Sequence, residues 1–169
     1  MGCNRKRDCV SKNTRGESRT LSGRDLEPVV IKVMGEPVPQ GSTRAFITKS
    51  GRPIITHSNK NLRDWRQRIA TEAQKERPKD WDMDQAILLG VDFLMPRPKT
   101  LPKKIKEDVK RPDLDKLIRA VLDALTGIYF RDDAQVVQVF AGKRYADKFE
   151  AAGAHITVIP TPIRDMDTD

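Results

Sequence analysis

The chain has 169 residues, of which 37% are hydrophobic and 33% are charged, and it is long enough for one globular domain with a buried core. Its formal net charge of +8 favours a polyanionic partner such as nucleic acid. No apolar run approaches the ~20 residues of a membrane span, no signal peptide is evident, and the cysteines do not make a disulfide framework, so we expect a cytoplasmic protein without membrane contact.

The composition divides the chain into one domain and two tails. Residues 1–27 are polar, contain seven basic and four acidic residues, and show no hydrophobic periodicity, which predicts a disordered basic tail. This tail either adds nonspecific DNA affinity or is an inert extension. Residues 28–160 carry the patterns of a folded domain, and residues 161–169 form a C-terminal tail.

A strand and a hairpin are predicted first. The β-branched run at 29–33 predicts the strand. The segments 44–48 and 52–56 flank a turn that contains glycine, which is typical of a β-hairpin. Its basic residues are either phosphate contacts or solvated charges, and they are Arg44, Lys49 and Arg52.

A helix is expected next, from a cap at Ser58 or Asn59 to about Glu76. Apolar residues at helical spacing predict its buried face, which consists of Leu62, Trp65, Ile69 and Ala73. Because Trp65 fits this face, we expect it in the core and not as a stacking platform for DNA bases. Trp81 follows in a polar segment that indicates no role for it.

The next strand and loop carry the densest positive charge. The segment 86–95 is largely apolar on both faces, which predicts a central strand covered on both sides. The loop at 96–111 contains seven Lys or Arg residues and two acids, so we expect it to bind phosphates and to become partly ordered on DNA. The predicted DNA contacts are Lys103, Lys104, Lys106, Lys110, Arg111, Lys116 and Arg119.

A second helix begins directly after this loop. Pro112 and Asp113 suit the first positions of a helix, with Asp113 as the N-cap. The apolar residues that follow predict one buried face, made of Leu114, Leu117, Ile118, Val121, Leu122 and Leu125. Asp115 and Arg119 lie on a different face, and Gly127 suits the end of the helix.

Two more strands complete the predicted domain, at 134–145 and 154–159. The strand at 86–95, the second helix and the strand at 134–145 form a β-α-β unit. If those strands are strictly parallel, Asp113 follows one strand while Asp133 begins the other, at opposite edges of the sheet. The sequence leaves the strand order open and predicts a single α+β domain with a mixed sheet and two main helices.

Aspartates at the ends of these elements suggest a metal site. Converging carboxylates repel one another unless a divalent cation holds them, and aspartate oxygens suit Mg²⁺ or Mn²⁺. The two His and two Cys residues have no zinc-ligand spacing. Each aspartate alone is explained by a helix cap, a first-turn acid or a turn. Together, Asp113, Asp115 and Asp133 favour a metal site.

At this point the sequence resembles a known family. Arg-Pro-Asp-Leu-Asp-Lys-Leu-Ile-Arg-Ala-Val-Leu-Asp-Ala-Leu at 111–125, followed by Asp-Asp-Ala-Gln-Val-Val at 132–137, is similar to the RusA family of Holliday-junction resolvases. The family signature is P-D-x-D-N-L, a helix ending in D-A-L, and D-D-x-Q-V at a strand start. These are small endodeoxyribonucleases of phages, prophages and bacteria that act in DNA recombination and repair. The resemblance covers the arrangement of residues 28–160 and is close over 111–137.

The resemblance implies Mg²⁺-dependent cleavage of four-way junction DNA by a homodimer. By the motif, Asp113, Asp115 and Asp133 would be the metal-binding catalytic carboxylates, with Asp132 beside them. The family's functional lysine is Arg119 here, which keeps the charge but does not exchange protons as lysine does. The family's usual asparagine after the second aspartate is Lys116, and neither departure removes a metal ligand.

Two other functions stay open. A non-catalytic DNA-binding protein, whose aspartates only cap a helix and a turn, would bind DNA without Mg²⁺-dependent cleavage. A different phosphoryl-transfer or sugar-nucleotide enzyme could also use the D-x-D pattern. The second option is weaker, because the chain has neither a P-loop nor the glycine pattern of a dinucleotide-binding fold.

Overall fold

The computed structural model describes residues 27–41, 43–47, 50–57, 61–102 and 104–161. The predicted tail at 1–27 lies outside the described residues except for its last residue, and the tail at 161–169 lies outside except for its first. The predicted cap at Ser58 or Asn59 lies outside as well, as does Lys49 of the hairpin. For Arg44 only the backbone is described.

Four strands form the main sheet, and two more form the predicted hairpin. In chain order the strands are β1 (Val29–Met34), β2 (Thr43–Ile47), β3 (Pro53–His57), β4 (Ala86–Met95), β5 (Val136–Tyr145) and β6 (Gly153–Thr161). β2 and β3 pair antiparallel. The main sheet has the order β1-β6-β4-β5, with β4 parallel to β5 and antiparallel to β6. The mixed sheet confirms the predicted α+β class.

Two helices, α1 (Leu62–Glu76) and α2 (Leu114–Leu125), cover one face of this sheet. The buried face of α1 is the predicted one, and Trp65 is 3% exposed, which confirms its place in the core. Helix α2 buries Leu117, Val121 and Leu125 as predicted, together with Ala120 and Ala124. The predicted Leu114, Ile118 and Leu122 are only partly buried and pack at the edge of the core. An ion pair joins the helices, with Arg66 of α1 2.6 Å from Asp123 of α2. Neither helix could cross a membrane, and no other helix of the described ranges could.

The other face of the sheet is open among the described residues. Strand β4 buries Ile87 and Leu89 beneath the helices, whereas Leu88 and Gly90 on its other face are partly exposed. Gly90 lies in register with Phe140 of β5, which is 61% exposed. The prediction that β4 is covered on both sides is therefore wrong for the first half of this strand, because α1 and α2, the α-helices of the described ranges, both lie on one face.

Trp81 closes the end of the core where α2 finishes. Its indole N–H donates to the carbonyl oxygen of Tyr129 at 2.8 Å, and the two rings pack edge to face with centroids 4.9 Å apart. Tyr129 is fully buried, and its hydroxyl donates to the carbonyl of Ala73 in α1 at 3.1 Å. The polar segment around Trp81 thus contributes a structural aromatic that the sequence pattern did not indicate.

Candidate active site

The first turn of α2 presents an uncapped carboxylate. Asp113 occupies the N-cap position, and its main-chain carbonyl accepts from the N–H groups of Lys116 and Leu117 at 3.2 and 3.3 Å. Its side chain makes no capping hydrogen bond, although aspartate at this position usually does. The residue is exposed. Helix capping therefore does not account for the Asp113 carboxylate, which is exposed to solvent.

Asp115 lies within the first turn and is held as an anion. The ammonium of Lys116 donates to its carboxylate at 2.8 Å. This hydrogen bond is the main reason that the pKa of Asp115 lies below its ordinary value. Desolvation, the next largest effect, opposes it, and the positive charges of Lys116 and Arg119 lower the pKa further. Both carboxylates of the D-x-D pattern are thus exposed on one helix end, with cations around them.

The basic loop before α2 is anchored to the end of β5. The N–H of Tyr145 donates to the carbonyl of Lys106 at 2.8 Å, and the guanidinium of Arg97 lies 5.5 Å from the centre of the Tyr145 ring. Asp108 is buried and accepts from the N–H of Lys110 at 3.0 Å. These contacts hold the loop from 104 to 111 without DNA, so the expected ordering on DNA is not required for this part.

The predicted DNA contacts are placed along this loop and the first turns of α2. Lys104, Lys106, Lys110, Arg111 and Arg119 are exposed, and Lys116 is partly exposed. Lys103 lies outside the described residues. The positive charges of the described residues are therefore accessible to solvent, as phosphate binding requires.

Lys143 is a site residue that the sequence analysis missed. It lies on β5, and its ammonium donates to the main-chain carbonyl of Pro112 at 2.6 Å and to that of Lys110. These bonds fix the residues directly before Asp113 against the sheet. The only signal in the sequence was a lysine within a strand that is otherwise largely apolar.

The second acidic pair lies at the opposite end of the sheet. Because β4 and β5 are parallel, α2 returns along the sheet, and its 12 residues span about 18 Å at ~1.5 Å per residue. Asp133 therefore lies beyond the far end of the helix from Asp113. Within the described ranges, no three Asp, Glu, His or Cys side chains are grouped so that they could hold a metal ion. The expected convergence of Asp113, Asp115 and Asp133 does not occur within one chain.

Asp132 has a structural role at this second position. Its carboxylate accepts from the N–H of Ala134 at 2.9 Å, and the side-chain oxygen of Gln135 accepts from the N–H of Asp132 at 3.2 Å. This capping box makes residues 133–135 a short 3-10 helix, so the strand begins at Val136 and not at Ala134 as predicted. Asp133 is exposed, and its carboxylate takes no part in these hydrogen bonds.

Comparison with known proteins identifies one family and one relative. The model of the family described as endodeoxyribonuclease RusA matches residues 35–159. The uncharacterized protein YqaN of Bacillus subtilis (strain 168) is 29% identical over 133 residues, which cover 73% of this chain and 92% of that protein. The family match spans most of the chain and includes both aspartate pairs, the basic loop and Lys143.

Proposed function

The chain belongs to the RusA family of endodeoxyribonucleases, and from this premise we propose that it resolves four-way DNA junctions in a Mg²⁺-dependent reaction. The observation that carries the proposal is the exposed, uncapped carboxylate of Asp113 beside that of Asp115, at the end of a basic loop. Paired, symmetric nicks would place the protein in DNA recombination and repair.

The carboxylates of Asp113 and Asp115 fit a hard divalent cation. Mg²⁺ usually binds through one or two protein carboxylates, keeps several waters and pairs with phosphates, and Mn²⁺ accepts the same ligands. When bound, the ion lowers the pKa of a water ligand and offsets the charge that develops on the phosphate. The lowered pKa of Asp115 supports this role, because a ligand carboxylate has to be ionised.

The neighbouring cations bind and orient the DNA. Arg119 lies one helical turn from Asp115 and acts as a fixed positive charge toward the phosphate. Lys116 already pairs with Asp115 and can exchange that contact for a phosphate oxygen. The cations of the loop neutralise the flanking phosphates, so DNA affinity falls with added salt. Preference for a junction over a duplex then comes mainly from DNA shape.

The edge strand β5 supports the proposal of a homodimer. β5 ends the sheet, and it exposes apolar side chains, with Val137 62% and Phe140 61% exposed. An open edge with apolar side chains is a surface that a second copy covers in many dimers. Phe140 also continues the open face of the sheet through its register with Gly90. If a twofold axis lies at β5, the second copy would cover the edge of β5 and the exposed side chain of Phe140.

The same symmetry would bring Asp133 of the partner subunit to the site that contains Asp113 and Asp115. Lys143, beside the start of α2, lies seven residues after Val136, or about 23 Å along the strand at ~3.3 Å per residue. A twofold axis perpendicular to β5 reverses the strand direction in the second copy. Asp133 of the partner subunit then approaches the end of β5 at which Asp113 and Asp115 lie. The dimer would carry two such sites, one for each of two symmetric strands of a junction.

The proposal is tested by comparing the wild type with Asp113→Asn on a labelled four-way junction and a matched linear duplex, with Mg²⁺ and with EDTA. We expect symmetric, Mg²⁺-dependent nicking of the junction only, lost in Asp113→Asn although binding persists. Asp82→Asn is the matched control, because Asp82 is an exposed loop aspartate whose contact to the N–H of Asp84 an amide oxygen can keep. Tight binding without cleavage in any divalent metal would instead indicate a non-catalytic DNA-binding protein.

A further inference from the structure

Arg68 of α1 lines an open cavity of about 760 Å³ beside the candidate active site. The helix contributes Asp64, Trp65 and Arg68 to the wall, and the start of α2 contributes Asp113 and Lys116. Ligand sites usually have volumes of ~300–1,000 Å³, so the cavity is large enough for part of a DNA strand. Arg68 therefore shares one open cavity with the first carboxylate of the D-x-D pattern.

The backbone at Gly35 makes room for the guanidinium of Arg68. Gly35 follows β1 and has a φ of 122°, a conformation that favours glycine. A Cβ atom at this position would lie 2.6 Å from the Nη1 atom of Arg68, closer than Cβ atoms approach other atoms in proteins. The N–H of Gly35 donates to the carbonyl of Ala152 at 2.9 Å, which holds this part of the main chain. The guanidinium thus packs against a fixed stretch of bare backbone beside the cavity.

Arg68 forms no salt bridge with any residue that the structure describes. Asp64 lies four residues earlier on α1, which is the spacing at which an acid and a base usually pair on a helix. Arg66, on another face of the same helix, does pair, and its guanidinium lies 2.6 Å from the carboxylate of Asp123. Arg68 is exposed, and packing on Gly35 leaves its remaining N–H donors available to an anion.

A DNA phosphate is the anion that suits this position. A guanidinium donates two parallel hydrogen bonds to a phosphate, and its planar fork loses little freedom when it does so. The cavity wall carries three basic and three acidic residues, which are Arg68, Arg111, Lys116, Glu36, Asp64 and Asp113. A divalent cation at Asp113, as in the proposed function, would offset that carboxylate and leave the wall with a net positive charge.

We propose that Arg68 binds a backbone phosphate of the strand that is cut, close to the scissile phosphate, so that this strand passes through the cavity. The cavity is fixed relative to α2, because the main-chain N–H of Gln40 donates to the carbonyl of Lys116 at 2.9 Å. The inference rests on the proposed function and deepens it. It assigns to α1 a DNA contact that is separate from those of the basic loop and α2.

The first test measures affinity for a four-way junction in EDTA, over a range of salt concentrations. We expect affinity to fall about tenfold in Arg68→Met, as for the loss of a hydrogen-bonded contact to a charged group. The slope of log affinity against log salt should fall by about 1, as for the loss of one phosphate contact. Arg63→Met is the matched control and should stay close to the wild type, because Arg63 is exposed on α1 but lies outside this cavity.

The second test locates the phosphate. Junctions carry a neutral methylphosphonate in place of one phosphate, at single positions on either side of the branch point. We expect one position at which this change weakens binding of the wild type about tenfold but hardly affects Arg68→Met, because the same contact is already lost. Arg68→Lys keeps the charge without the paired donors, so its affinity should lie between those of the wild type and Arg68→Met.

Equal affinities and salt slopes for the wild type and Arg68→Met would overturn the proposal. A loss of affinity that is coupled to no methylphosphonate position would overturn it as well, since Arg68 would then act only through the structure of the protein. Circular dichroism checks that Arg68→Met folds, and if it does not, the coupling measured with Arg68→Lys decides. A wild type that shows the coupling but does not cut with Mg²⁺ would support the phosphate contact, although the proposed nuclease function then fails.

Discussion

The ammonium of Lys143 donates a hydrogen bond to the carbonyl of Pro112 at 2.6 Å, directly before Asp113. A residue of the edge strand thereby holds the entry to α2, so the sheet and the first acidic pair form one rigid unit. The same strand begins at Val136, after the short 3-10 helix that contains Asp133. β5 therefore connects the two acidic pairs of the motif physically, although it keeps them apart within one chain.

Replacing Lys143 by Met should reduce catalysis more than DNA binding. Loss of its hydrogen bonds frees the backbone before Asp113, and a misplacement of about 1 Å at a catalytic group can cost ~100-fold in rate. We expect kcat to fall about 10- to 100-fold, with a small change in the affinity for the junction. Lys143→Arg should recover part of the rate. Lys148→Met, an exposed lysine in the β5–β6 turn, is the control, and an unchanged kcat in Lys143→Met would contradict the positioning role.

The two neighbouring aspartates should separate stability from catalysis. Asp132→Ala removes the cap of the short 3-10 helix and should lower the free energy of unfolding by about 1 kcal/mol, whereas Asp133→Ala should change it by less than about 0.5 kcal/mol. Cleavage with Mg²⁺ should be lost in Asp133→Ala and largely kept in Asp132→Ala. Urea unfolding and junction cleavage measure the two effects. The opposite pattern would make Asp132 the ligand.

Replacing Phe140 by Glu should disrupt the dimer without unfolding the subunit. A charge in the centre of the exposed surface of β5 opposes association, while the side chain contributes little to the core because it is 61% exposed. Light scattering should show a monomer with native circular dichroism and no Mg²⁺-dependent cleavage. Phe149→Glu provides the matched control, because Phe149 is 94% exposed in the β5–β6 turn. A Phe140→Glu dimer that cuts normally would exclude β5 as the interface.

Alkaline pH should lower the free energy of unfolding through Tyr129. Burial raises the pKa of this phenol from 10.0 to about 12 in the folded protein. Since the protonated form is favoured in the folded state, its contribution is complete below pH 10 and is lost as the pH rises through about 12. Tyr129→Phe should remove this part of the pH dependence, at a cost of about 1 kcal/mol for the hydroxyl bond to Ala73. Denaturant titrations from pH 8 to 12 would test it, and parallel pH profiles would contradict it.

Local sequence patterns predicted the helices and strands well where buried residues recur at the spacing of the helix or strand. The buried face of α1 was found because side chains at helical spacing share one environment, and the face of α2 was found in part, since two small alanines take buried positions there. The hairpin was found from its glycine turn. The basic loop and Asp113 were also found, since Pro112 and an acidic cap mark the start of a helix. What these patterns cannot contain is the pairing between distant segments.

The candidate site depends on contacts between segments that are distant in the sequence. Lys143 contacts Pro112 only because β5 lies beside the loop, and Trp81 contacts Tyr129 across 48 residues of sequence. The parallel register of β4 and β5 decides that Asp133 lies far from Asp113, and the sequence left that register open. The grouping of the three aspartates was therefore assumed from the motif, and a single chain does not supply it.

Subunit complementation tests the central claim, a metal site shared by two subunits, most directly. Heterodimers of Asp113→Asn and Asp133→Asn, made by coexpression with different tags, carry both substitutions in one site and neither in the other. We predict Mg²⁺-dependent nicking of one junction strand without paired cuts, while either mutant homodimer stays inactive. Heterodimers as inactive as the homodimers would contradict the shared site and require each chain to act with its own carboxylates.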